Sequence, residues 1–162
     1  MTIFRRRPLL AFFVLAYVIS WAYWIPLALA GVRIAPGSRA THFPGLLGPA
    51  LAAFIVTGLT EGRAGVVNLA QRLVLVSRPA PRFLLYSLTP LLFLAHARTF
   101  AISADALWPA WNDFAVYSGL PALGLPAVFV LVLLFYGFGE ETGWPGYALA
   151  PLQRPYGPVG GS

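Results

Sequence analysis

Uncharged apolar runs separated by short basic connections dominate the chain. Pro8 to Val32 carries no charge, and neither does Phe43 to Thr60. Phe83 to Ala104 is interrupted only by His96 and Arg98, and Phe114 to Gly139 is again uncharged. Crossing about 30 Å of hydrocarbon at about 1.5 Å per residue takes about 20 mainly apolar residues. The pattern predicts about four membrane spans, with Pro121 and Pro126 marking the approach to the last. Between the second and third runs, Val66, Leu69, Ala70, Leu73 and Val74 recur at helical spacing, with Asn68, Gln71 and Arg72 elsewhere on the circle. That spacing predicts a short helix in the cytoplasmic interface, ended by Pro79 and Pro81. The expected fold is all-α: a single polytopic transmembrane bundle over residues 1–162, with about four spans plus the interfacial helix.

Composition agrees. Apolar residues make up 59% of the 162 positions and charged residues 10%, against about 25% charge in soluble domains. The net charge is +6. Every basic residue is Arg, and the arginines flank apolar runs rather than forming a solvated basic face, which argues against nucleic acid as a partner. Arg5, Arg6 and Arg7, then Arg63, Arg72, Arg78 and Arg82, then Arg154 fall on one side of the expected bundle. Only Arg33 and Arg39 lie in the other connections. The positive-inside bias therefore predicts cytoplasmic N- and C-termini. Trp21, Tyr23, Trp24, Trp108 and Trp111 suit the outer interface. The first apolar run is too long for a signal-peptide core of about 7–15 residues. Gly45, Gly48, Ala50, Ala52 and Ala53 predict close helix packing along the second span. The chain has no Cys, which excludes thiolate metal sites and Cys nucleophiles. His42 and His96 are too far apart in sequence to suggest a histidine metal site.

The candidate chemistry lies at Phe135-Tyr136-Gly137-Phe138-Gly139-Glu140-Glu141-Thr142-Gly143-Trp144-Pro145-Gly146-Tyr147. A helix starting near Pro126 reaches Glu140 after about 14 residues, or about 21 Å, inside or at the inner edge of the hydrocarbon. An ionised carboxylate at mid-membrane costs upward of about 2.5–3.5 kcal/mol. A carboxylate in such surroundings can take a proton from water near neutral pH, as a general base must. Adjacent helix positions point about 100° apart, so one Glu can face a water-filled cavity while the other holds a neighbouring helix. The competing reading is that the pair marks the solvated cytoplasmic end of the span. Gly139 and Gly143 would let another helix approach at the acidic step, and Trp144 and Tyr147 would anchor at the interface.

Gly139-Glu140-Glu141-Thr142-Gly143-Trp144, followed by Gly146-Tyr147-Ala148-Leu149 and Leu152-Gln153, resembles the first motif of the CPBP family. These are the type II CAAX prenyl proteases and their bacterial relatives, including bacteriocin-immunity and abortive-infection proteins. Gly45 to Arg63 resembles the preceding span of bacterial members, and the likeness covers about residues 43–157. It implies an intramembrane endopeptidase of the bacterial plasma membrane, acting on a peptide or prenylated-protein substrate near the membrane surface. Glu140 would be the general base and Glu141 its supporting partner. The family works either with a bound divalent metal such as zinc or as a glutamate protease. This chain carries no complete metal ligand set. Three departures stand out. Pro145 occupies the position of the family's Arg. Pro lacks the guanidinium that pairs a buried carboxylate, and it is expected to kink or stop the helix. Neither His fits the later F-x-x-x-H motif. The sequence reaches Ser162 before that motif, so the expectation is an incomplete protease domain, inactive alone. The alternative is a non-catalytic, immunity-like or scaffold membrane protein.

Overall fold

The computed structural model describes residues 3–38, 40–74, 88–104 and 107–154. After a single helical turn at Ile3–Arg6, α1 runs Pro8–Leu29. Pro8 stands in its first turn, where the missing N–H has no helical partner to lose. A 3-10 turn at Phe43–Leu47 leads into α2, Gly48–Val74. Helix α3 spans Thr89–Ser103. The last helix, α4, covers Leu125–Arg154. The described residues contain no β-strand, only an isolated bridge between Pro36 and Ser118.

Three helical stretches are long and apolar enough to cross a membrane: Pro8–Leu29, Phe43–Leu73 and Leu125–Arg154. These correspond to the first, second and fourth expected spans. The third, Phe83 to Ala104, lies partly outside the described residues. Its described part, α3, has 15 residues and buries none of them, and at about 1.5 Å per residue it is too short to cross alone. The boundaries of the last span differ from expectation. Residues 114–124 are apolar but not a helix of that span: Trp111–Ala115 form a 3-10 turn, Gly119 and Gly124 take φ of +78° and +81°, and Pro126 opens α4. The left-handed backbone at Gly124 ends the loop, and the proline starts the helix.

Pro145 does not stop the chain's helical path. The helix is α over Leu125–Val132, π over Leu133–Glu140, α over Glu141–Gly143 and π over Trp144–Leu149. In an α-helix the ring of Pro145 would press on the carbonyl of Glu141. The wider turn beginning at Trp144 accommodates it, and helix continues to Arg154. The segment expected as a separate interfacial helix is the second half of α2, set off by non-helical Gly62 at φ +69°, ψ −161°. Leu69 on that half is buried in the core.

Burial is arranged inside out. Leu10, Val14, Tyr17, Val18, Trp21 and Ile25 form an exposed stripe along α1, and Phe129, Val130, Leu133 and Leu134 do the same on α4. Ala11, Ala16 and Ser20 of α1 and Ala50, Ala52 and Ala53 of α2 face inward. In water the large apolar faces would be an aggregation hazard. Small residues inside and large ones outside is the arrangement that suits lipid.

The closest approach of backbone to a glycine is between α4 and the start of α2. A Cβ on Gly139 would lie 2.5 Å from the carbonyl oxygen of Leu46, and one on Gly143 would lie 2.7 Å from the carbonyl carbon of Pro49. Gly48 meets α1 in the same way, where a Cβ would lie 2.8 Å from the Ala16 carbonyl oxygen. At one end the loops close over the bundle: Gly37 N–H donates to Leu120 O and Gly119 N–H to Ala35 O. Buried Phe43 packs there edge-on to Tyr117, Phe135 and Tyr136.

These contacts predict the response to added volume. Gly143→Val should lower stability by about 1–3 kcal/mol or more, because rigid backbone is in the way. Gly137→Ala should be near neutral, since its new methyl would meet only the tip of Leu133, at 3.2 Å. Thermal unfolding of the purified chain in detergent micelles checks both.

Candidate active site at the acidic step of helix α4

Glu140 closes the first π segment and Glu141 begins the short α segment. Local π turns inside helices recur at functional positions and re-aim the side chains after them. The two carboxylates part company here. Glu140 is partly buried and lines a cavity of about 200 Å³ with Ser20, Trp24, Leu46, Pro49 and Trp144. Glu141 is exposed and lines a separate cleft of about 700 Å³, together with Arg72, Thr142 and Pro145.

The height of Glu140 follows from its neighbours. Ser20 lies 12 residues after Pro8 in the 22-residue α1, about 18 Å along a helix about 33 Å long. Glu140 is therefore level with the middle of α1 rather than with its end. The expectation had left open a solvated helix terminus. The helix instead continues from Glu140 to Arg154, so neither acid marks its end.

The walls of the Glu140 cavity are held by hydrogen bonds to backbone carbonyls. The Ser20 hydroxyl donates to Gly45 O at 2.7 Å, and the Trp24 indole N–H donates to His42 O at 2.9 Å. The Tyr23 hydroxyl donates to Thr41 O at 3.0 Å. These donors satisfy carbonyls at the irregular entry to α2, where an unpaired group would be costly. Trp144 and Tyr147, expected as interface anchors, pack against α1: Phe12 lies edge-on to Trp144 at 5.4 Å and tilted against Tyr147 at 4.9 Å.

Two polar groups near the acidic step were not legible in the sequence. His42 Nε2 and the Tyr136 hydroxyl form a 3.1 Å hydrogen bond across 94 positions. Tyr136 stands four residues before Glu140. The Thr142 hydroxyl is fully buried and has no hydrogen-bond partner. The one available signal was the position of Thr142 directly after the acid pair. His96 sits on exposed α3. Arg98 of that helix lies over Trp108, 5.9 Å from the ring centroid. Asp105 and the side chain of Trp111 fall outside the described residues, as do Arg39, Arg78, Arg82, Pro79 and Pro81.

A divalent metal does not fit this arrangement. Among the described residues, no group of three or more His, Cys, Asp or Glu side chains comes together to hold one. Arg72 of α2 lines the cleft that Glu141 faces. No protein-family model matches the chain, and no curated protein or solved structure is significantly similar to it.

The separation of the two acids can be read directly, because the chain has no native Cys. Glu141→Cys should react with a water-soluble maleimide faster than Glu140→Cys, by on the order of tenfold or more, since thiol reactivity follows exposure. Equal rates would contradict the two-cavity geometry.

Proposed function

We propose that the chain is an integral membrane protein of the CPBP type, an endopeptidase scaffold in which Glu140 is the general base. The observation that carries this reading is a carboxylate held in a 200 Å³ cavity level with the middle of an apolar helix. A water occupies about 30 Å³ of liquid volume, so the space suffices for a nucleophile beside the carboxylate. Glu140 takes a proton from that water as its oxygen bonds to a peptide carbonyl carbon. The proton passes to the amine as the peptide C–N bond breaks. Glu141 is the proposed supporting partner by its adjacency on the helix, while its own side chain lines the separate cleft with Arg72. The substrate class is a peptide or prenylated protein presented near the membrane surface.

Four spans with N- and C-termini in the cytoplasm belong to the same proposal, as does a bacterial plasma membrane location. The support for the orientation is that Arg5, Arg72 and Arg154 line one cavity at the same end of the bundle, as the positive-inside bias requires. Helix α3 would belong to the third of these spans, and the second half of α2 would lie at the cytoplasmic surface.

One observation favours a second reading. Two polar groups on the wall beside Glu140, Ser20 Oγ and Trp24 Nε1, are already committed to carbonyls. That leaves only the aromatic donors of Tyr17, Trp21 and Trp144 on that wall to meet a developing oxyanion. This is the geometry of a non-catalytic scaffold, or of a base awaiting its partner groups.

One experiment separates them. The chain, reconstituted in liposomes with prenylated CAAX peptides, should not cleave them alone. Supplying a helical fragment with the F-x-x-x-H and H-x-x-x-N/D motifs of a CPBP protease should restore cleavage, and Glu140→Gln should abolish it by on the order of 100-fold or more. Cleavage untouched by Glu140→Gln would remove Glu140 from the chemistry, and no restoration at all would favour the scaffold.

A further inference from the structure

A further cavity adjoins the Glu141 cleft, with Arg72 and Gly146 between them. It measures about 790 Å³ and opens where the beginning of the chain, the turn of α2 at Gly62 and the end of α4 meet. Three guanidiniums line it, each from a different element: Arg5 before α1, Arg72 on the second half of α2, and Arg154 at the last turn of α4. Asn68 and Tyr147 add polar groups, and Glu61 is the single carboxylate on its wall. A positive-inside bias accounts for arginines at this end of the bundle. It does not account for their convergence on one cavity.

A second observation points to a ligand. Thr57 lines the same cavity with a residue exposure of 3%, and its hydroxyl has no hydrogen-bond partner. Thr60, one turn on, returns its hydroxyl to the carbonyl of Val56 at 2.7 Å. Thr57 makes no such bond, and a buried hydroxyl left unpaired costs free energy unless something else satisfies it.

We infer that this cavity binds a phosphate-bearing anion, through Arg5, Arg72, Arg154 and the Thr57 hydroxyl. Guanidinium forks match phosphate oxygens in paired hydrogen bonds. A carboxylate is planar and is served by one fork, whereas a tetrahedral phosphate offers acceptors in several directions, as three arginines from three elements require. Three cations against one carboxylate leave the wall net positive. Basic pockets between membrane helices bind acidic headgroups on this physical ground. A lipid headgroup and a free phosphate share the chemistry, and the test distinguishes them.

The purified full-length chain, in uncharged detergent, is followed by thermal unfolding while short-chain phosphatidylglycerol, inorganic phosphate or short-chain diacylglycerol is titrated in. A saturable rise in Tm is expected with a phosphate-bearing additive and none with diacylglycerol. A rise with phosphatidylglycerol alone assigns a lipid headgroup, and an equal rise with inorganic phosphate assigns the free anion. Arg5→Gln and Arg154→Gln should each weaken the midpoint concentration by about tenfold or more, as charged hydrogen bonds do. Arg6→Gln, outside the cavity, should leave it unchanged. Thr57→Val keeps the side-chain volume and should weaken binding severalfold, so it carries the test if an arginine variant fails to fold. No saturable rise with either phosphate compound would overturn the proposal, as would a rise that survives Arg5→Gln with Arg154→Gln and is unaltered by Thr57→Val.

Discussion

Backbone-to-backbone contact at Gly139 and Gly143 is the constraint on which the arrangement of the bundle depends. Leu46 and Pro49 occupy the space that side chains at those two positions would need. Because the glycines leave it free, α4 lies against the entry of α2, and Glu140, directly after Gly139, is carried to the cavity beside Tyr17 and Trp21 of α1. Glu141, one position on, turns away to the cleft with Arg72. The division of the acid pair is thus a consequence of helix packing. Any side chain larger than hydrogen at Gly139 or Gly143 would push the helices apart and open the Glu140 cavity.

The same economy of size runs through the molecule. Alanines and Ser20 fill much of the seam between α1 and α2, with Phe12 and Val56 buried among them, while many leucines, valines and aromatics stand outward. Lipid removes the hydrophobic drive for burying large residues, so close van der Waals contact and internal hydrogen bonds hold the helices together instead. The hydroxyl of Ser20 and the indole of Trp24 serve this purpose where the 3-10 turn at Phe43–Leu47 interrupts regular helix. These bonds also fix one wall of the Glu140 cavity, so the irregular turn and the acidic step form one structural unit.

The first two spans were legible because absence of charge over 18 or more residues is a strong signal for a lipid-crossing helix, and both start where the apolar runs begin. The small residues of the second run were legible as packing positions for the same reason: little else explains so many of them in lipid. The start of α4 was not. Residues 114–124 are as apolar as a span, but their Pro and Gly residues direct a loop that folds over Phe43. A break at Pro145 is what α-helical turns would produce, and the π turns around it are not encoded in hydropathy. The Glu pair stands out in the sequence after an apolar run, and helical geometry anticipates that its members face different ways, although Glu141 lies exposed on a cleft rather than tied to a neighbouring helix. The bond from His42 to Tyr136 was not legible, since pairing across 94 positions depends on how the loops close.

The packing claim is tested most directly by cross-linking in the otherwise cysteine-free chain. Phe54→Cys combined with Phe138→Cys, replacing rings that stack 6.3 Å apart between α2 and α4, should be joined within one chain in high yield by a short bifunctional thiol reagent in a lipid bilayer. Phe54→Cys with Phe129→Cys, about 14 Å farther along α4, should not. Absence of a link in the first pair, or linking only between separate chains, would show that α4 does not lie against α2 and that Glu140 is not placed as described.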